Sequence, residues 1–164
     1  PLLINHERCW ITIVFVYLNP SHNMAIYRRI PGGPNLDVHL FEGGSENDVL
    51  IGTWQQEVLV GKAGSDMLIG GAGVDAFMID SPLESDHIVD FEENEKILIP
   101  KDIFGVNYLD YHRFTLDTQA RTLSFDGQVV ATFGANSDFT GIASAQDIIL
   151  FVEDASDVIH SSEI

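Results

Sequence analysis

The sequence predicts an all-β fold, a short right-handed parallel β-roll of nonapeptide repeats followed by a β-sandwich-like cap, on three observations. Residues 43–78 divide into four blocks of nine, GGSENDVLI, GTWQQEVLV, GKAGSDMLI and GGAGVDAFM. Each block opens on glycine (Gly43, Gly52, Gly61, Gly70), carries an acid at its sixth position (Asp48, Glu57, Asp66, Asp75) and a large apolar residue at its eighth (Leu50, Leu59, Leu68, Phe77). With glycine at about 7% of ordinary sequence, four glycines in one column arise by chance at roughly 10⁻⁵. Three columns sharing one period mark a repeat architecture.

The 164 residues fit one domain or a module plus an arm. Acids outnumber bases 25 to 8, for a formal charge of −17, which argues against nucleic-acid or anionic-membrane binding. A 45% hydrophobic content supplies a core and argues against disorder. Cys9 is the single cysteine, so no intrachain disulfide staples the fold. Three regions follow: an N-terminal arm over 1–31, the roll over 32–80, and a cap with a tail over 81–164.

In the arm, the apolar stretch Cys9 to Leu18 is about half of the ~20 residues a membrane-spanning helix needs, so no membrane insertion is expected. His6, Glu7 and Arg8 make a poor basic leader, and the residues after Leu18 hold no small-residue cleavage site. Its β-branched and aromatic content predicts a buried or edge strand. Further on, GGPNLD (Gly32 to Asp37) reads as a degenerate turn capping the roll, because eleven residues rather than nine separate Asp37 from Asp48.

Within each block, glycine at the start allows a tight six-residue turn. The next three residues, VLI, VLV, MLI and AFM, alternate with the middle side chain inward and make a very short strand. Two blocks then complete one coil, and alternate blocks stack about 4.8 Å apart. Stacking sets Asp48 over Asp66 on one edge and Glu57 over Asp75 on the other. Like charges about 5 Å apart repel by roughly 3 kcal/mol at an effective dielectric near 20, so a counter-ion is required. Carbonyl and carboxylate oxygens in a flexible gap favour Ca²⁺ over Mg²⁺ or Zn²⁺.

These blocks resemble the GGxGxDxUx nonapeptide of RTX (haemolysin-type) calcium-binding repeats, and Gly70 to Met78 matches at every defined position. Downstream, AFMIDSPLESDHIVDFEENEKILI, with Asp86, Ile88, Asp90, Phe91 and Ile97, is similar to the segment that follows the repeats in the C-terminal domain of serralysin-type secreted metalloproteases. The resemblance implies ligands from carbonyls at positions two and four with the acid of one turn, and from carbonyls at positions one and three with the acid of the turn stacked on it. Its best site is then Gly44, Glu46 and Asp48 with Gly61, Ala63 and Asp66. A second pairs Gly70, Ala72 and Asp75 with block two, where Thr53, Gln55 and Glu57 replace the expected Gly, Gly and Asp.

The acid run from Ser81 to Glu95 reads either as a solvated strand face or as the source of Asp80 or Asp86 for a calcium site at the end of the roll. DSPLESDHIVDF has no glycine at the sixth position, so it is not an EF-hand loop. KILI (96–99), a break at Pro100, RFTL, TLSF and QVVATF, the last two joined by an Asp126–Gly127 hairpin turn, and SAQDIILFV as a last strand are expected to close the open end.

Catalytic machinery is not found. Trp10 stands where a second zinc-binding His would follow His6 and Glu7, GGSEN lacks the closing glycine of a nucleophile elbow, and Lys62 follows no P-loop. His87, His112 and His160 read as ordinary surface or half-buried residues. The expected function is a non-catalytic, calcium-binding module that folds on Ca²⁺. By resemblance it acts outside the cell and supports type I secretion, with the stretch after Val152 engaging the secretion apparatus. The alternative is the C-terminal fragment of a secreted hydrolase, or an adhesin with a surface- or carbohydrate-binding face. Trp10 and Trp54 are the tryptophans available for that, and Trp54, in a turn, is expected to pack.

Overall fold

A computed structural model describes residues 15–16, 25–31 and 37–153; residues 1–14 with Cys9 and Trp10, 17–24, 32–36 and 154–164 with His160 lie outside the described residues. The described chain is mostly strand, with few and short helices. It begins with β1 (Phe15–Val16), β2 (Ala25–Pro31) and β3 (Asp37–Glu42). The apolar triplets of the four blocks then give β4 (Val49–Ile51), β5 (Gln56–Val60), β6 (Met67–Ile69) and β7 (Ala76–Met78). Two more short strands follow, β8 (Asp86–Ile88) and β9 (Lys96–Pro100).

From β3 to β9 successive strands alternate between two sheets. One sheet runs in the order β1-β2-β3-β5-β7-β9 and ends on β13 (Ile149–Val152). The other runs β10 (Phe114–Asp117), β11 (Thr122–Phe125), β12 (Gln128–Phe133), β8, β6, β4. The strands of the repeat pair in parallel: Leu50 faces Leu68 and Leu68 faces Ile88 in one sheet, while Phe41, Leu59, Phe77, Ile97 and Ile149 form a row across the other. Both rows are buried and meet in one core. The alternation has a simple cause. In β4, β6 and β7 the middle side chain of three points into this core, while β8 sends in its last, Ile88, and each glycine turn of the repeat reverses the chain into the opposite sheet.

The stacking step is eighteen residues inside the repeat and twenty beyond it, as the contacts Asp48 to Asp66 and Asp66 to Asp86 show. The register also places His39, not Asp37, opposite Glu57, because Leu40 and Phe41 must align with Val58 and Leu59. Asp37 therefore does not hold the sixth-position place of an earlier turn.

The strands after the repeat extend the same two sheets instead of forming a separate sandwich. β10, β11 and β12 make an antiparallel meander whose last strand pairs in parallel with β8. Asp126 and Gly127 turn it with φ of 47° and 87°, as an Asp-Gly hairpin turn requires. Pro100 ends β9 and leads into α1 (Lys101–Phe104), since proline's missing N–H is harmless at a helix start. SAQDIILFV is only half strand: Ser144 and Asp147 form a capping box that opens α2 (Ala145–Ile148), and β13 follows. β1 lies at the outer edge of its sheet, matching the edge strand expected in the arm.

Candidate metal centre

The register brings acids into two ladders along the edges where the turns stack. Asp48, Asp66 and Asp86 form one; Glu57, Asp75 and Glu95 form the other, with His39 beyond Glu57. All of these are buried. One oxygen of Asp66, Asp75 and Asp86 is spent on the turn before each, whereas Glu95 accepts from the Glu92 N–H of its own loop. Asp66 Oδ1 accepts from the Asp48 N–H at 2.7 Å, Asp86 Oδ1 from the Asp66 N–H at 3.0 Å, and Asp75 Oδ1 from the Glu57 N–H at 2.8 Å.

The second oxygens differ between blocks. Asp48 Oδ2 accepts from its own block's Gly44 N–H. Glu57 accepts from the Thr53 N–H and hydroxyl, and its Oε1 lies 3.8 Å from His39 Nδ1. Asp66 Oδ2 and Asp75 Oδ2 have no hydrogen-bond partner although both residues are only 2% exposed. Such oxygens are costly to bury alone. Burial, reinforced by the stacked carboxylates, pushes Asp66 up to about 6, Asp75 and Asp86 to about 7, and Glu95 to about 8. Burial also raises Asp80, which adds its charge to Asp66 and Asp86 together with Glu84.

The glycines leave room for these oxygens and for little else. A Cβ on Gly43 would sit 2.4 Å from the Gly61 carbonyl oxygen and 2.6 Å from Asp48 Oδ2, so those two oxygens share the space beside it. A Cβ on Gly61 would fall 2.0 Å from Asp66 Oδ2. Gly61→Ala is accordingly expected to abolish the ordered turn, measured as loss of cooperative unfolding in denaturant. Gly127→Ala, whose added carbon meets nothing within 4 Å, should cost only the left-handed strain of about 1–2 kcal/mol.

Of the residues expected from the sequence, Gly44, Asp48, Gly61 and Asp66 are brought together, with Glu46 and Ala63 exposed in the same two turns. Gly70 and Asp75 are buried and Ala72 is exposed. The block-two half of that second site is already engaged, since the Thr53 carbonyl accepts from the Ala72 N–H and Glu57 is bonded by Thr53. Among the described residues, no three His, Cys, Asp or Glu side chains gather into a metal-holding group; four of the six donors expected at the first site are backbone carbonyls.

No family model, curated protein or solved structure matches the chain.

Sequence reasoning did not single out Glu95, Glu84 or Asp90 as site residues. A signal existed for the first: Glu95-Lys96-Ile97 repeats the acid-x-apolar pattern of the blocks, as Asp86-His87-Ile88 does, at a longer step. Trp54, expected to pack, is 77% exposed. His87 is half-buried and shares a hydrogen bond with Thr132, and His112 is exposed. Among the described residues no helix is long and apolar enough to cross a membrane.

Proposed function

We propose that the chain is a calcium-binding module of the RTX type, a short right-handed parallel β-roll that folds on Ca²⁺ and acts outside the cell. The observation that carries it is the pair of buried, unpartnered oxygens on Asp66 and Asp75, set among stacked glycine turns whose strands repeat at eighteen residues. A hard divalent cation with six to eight flexible oxygen ligands suits that donor set. Gly44, Glu46, Asp48, Gly61, Ala63 and Asp66 would hold one ion. Gly70, Ala72 and Asp75 would contribute to a second, and Asp80 and Asp86 to a third at the longer step. Bound calcium would neutralise the stacked carboxylates, doing for this cysteine-poor chain what disulfides do elsewhere.

Extracellular calcium modules bind with Kd near 10⁻⁴ to 10⁻³ M, a range that leaves such a chain unfolded at cytosolic calcium and folds it outside. That property suits passage through a type I secretion channel, and no catalytic role is assigned. The test is circular dichroism with isothermal titration. In chelator the chain is expected to be largely unfolded, gaining β structure at millimolar Ca²⁺ and far less with Mg²⁺, because binding free energy is folding free energy here. A native spectrum in chelator, unchanged by calcium, overturns the proposal.

The exposure of Trp54 favours a second reading, a surface- or carbohydrate-binding face of an adhesin or secreted enzyme. Quenching of Trp54 fluorescence by oligosaccharides, absent in Trp54→Ala, would establish it.

A further inference from the structure

We propose that Asp90 is a positioning residue for the cation site at Asp75, holding the Gly71 amide that would otherwise close on Asp75, and the Gly70 amide beside it, and so keeping one Asp75 oxygen for the metal. This role depends on the calcium reading above. In blocks one and two, the sixth-position acid turns back on its own block: Asp48 accepts from the Gly44 N–H and Glu57 from the Thr53 N–H. By the same geometry Asp75 would accept from the Gly71 N–H. Instead, the Gly70 and Gly71 N–H groups donate to Asp90 Oδ1 and Oδ2, each at 2.9 Å. Asp75 Oδ2, buried, is left without a partner.

Chain length explains why Asp90 is available. In blocks one and two the amide of the first glycine runs to a carbonyl of the strand stacked beside it, Gly43 to Val60 and Gly52 to Ile69. For Gly70 the neighbouring strand is β8, which has ended at Ile88, and the Asp90 carboxylate takes that carbonyl's place. Its bonds are charge-assisted and two-pronged, which fixes the turn more firmly than a single carbonyl would. On the other edge Glu84 accepts from the Gly64 N–H at 3.2 Å, beside the unpartnered oxygen of Asp66. The last two turns of the repeat, in blocks three and four, thus take part of their backbone order from the segment that follows it.

The experiment uses the full chain with Trp10→Phe and excitation at the red edge of tryptophan absorption, where the four tyrosines do not absorb, so that terbium(III) emission is sensitised only by Trp54, which lies on the block-two turn stacked against block four. Calcium titration counts ions alongside. Asp90→Ala is expected to abolish the Trp54-sensitised emission and to weaken one calcium site at least tenfold, leaving the ion at Asp48 and Asp66 in place. Asp90→Asn, which keeps an acceptor oxygen for a turn amide, should recover most of that loss.

Variants that bind like the parent overturn the proposal. So does an Asn variant as weak as the Ala variant, because Asp90 then acts as a ligand or a charge, and so does equal weakening of every ion, because its role is then general stability. Should Asp90→Ala not fold, Asp90→Asn decides alone: a loss under tenfold supports positioning, and a larger one refutes it. A parent chain that binds neither ion removes the calcium reading itself, an outcome distinct from binding that ignores Asp90.

Discussion

On the calcium reading proposed above, Asp66→Asn is expected to raise the calcium concentration needed for folding by tenfold or more while increasing the small folded fraction expected in chelator. The two effects oppose each other because the side chain has two tasks. Oδ1 accepts from the Asp48 N–H, and an asparagine oxygen can continue to do so. Oδ2 is buried without a partner, and its charge is a cost until a cation meets it. Neutralising it relieves the metal-free chain and removes a carboxylate ligand from the loaded one, a loss of about 1.4 kcal/mol or more. Glu57→Gln is the contrast, since both Glu57 oxygens are bonded by Thr53. Its calcium midpoint should stay within a factor of about three, or about 0.6 kcal/mol. Folding curves against calcium, read by circular dichroism, check both. Equal shifts in the two variants would mean that the ladders are not distinct, and a D66N chain less folded in chelator than the parent would mean that the aspartate charge is already satisfied by protein groups.

Acid should fold the metal-free chain. Asp66, Asp75, Asp86 and Glu95 titrate between about 6 and about 8 in the folded state, against roughly 4 in an unfolded chain. Across that window the folded state holds protons that the unfolded state has released, so stability falls as pH rises and is recovered on acidification. Lowering the pH from 8 to 5 in chelator is therefore expected to increase β structure. With calcium present the sign reverses for affinity, since the cation competes with those same protons, and the calcium midpoint should fall as pH rises from 5 to 8. Asp126, Asp138 and Asp147, which are lowered, act only in the more acidic range. Denaturation with chelator and with calcium at the two pH values measures both trends. A metal-free chain that gains stability between pH 5 and 8 would contradict the buried, unpaired state of the ladders.

Where the sequence repeats, structure was legible to the residue. Gly43, Gly52, Gly61 and Gly70 fix turn length, so the inward places of Leu50, Leu59, Leu68 and Phe77 and the stacking of Asp48 on Asp66 could be counted. Counting fails after Gly73, because Ser81 to Ser85 form a longer loop without the glycine constraint, and nothing in those residues alone states that the step has become twenty. Asp86 was within reach as an acid just after the repeat, whereas Glu95 needed that step to be known. The helix at Ala145–Ile148 was hidden for another reason: a four-residue helix rests on a capping box, and the apolar run after it favours strand. Trp54 was misjudged because the prior for a tryptophan is burial, while its turn projects from a fold whose core is already filled by the leucine and phenylalanine rows.

The eighteen-residue step sets a parity rule for changes in chain length. Each block sends the chain to the opposite sheet, as β4, β5, β6 and β7 show. Deleting one nonapeptide would transpose every later strand to the wrong sheet and carry each later acid to the opposite ladder, although the local sequence would remain a perfect repeat. Deleting or duplicating two blocks together leaves every later residue on its own side. Lengthening or shortening by duplication is thus open to this chain in pairs of blocks and closed to it in single ones, and an odd number of nonapeptides inserted among residues 43–78 would be a frameshift in space with no frameshift in the reading of the gene.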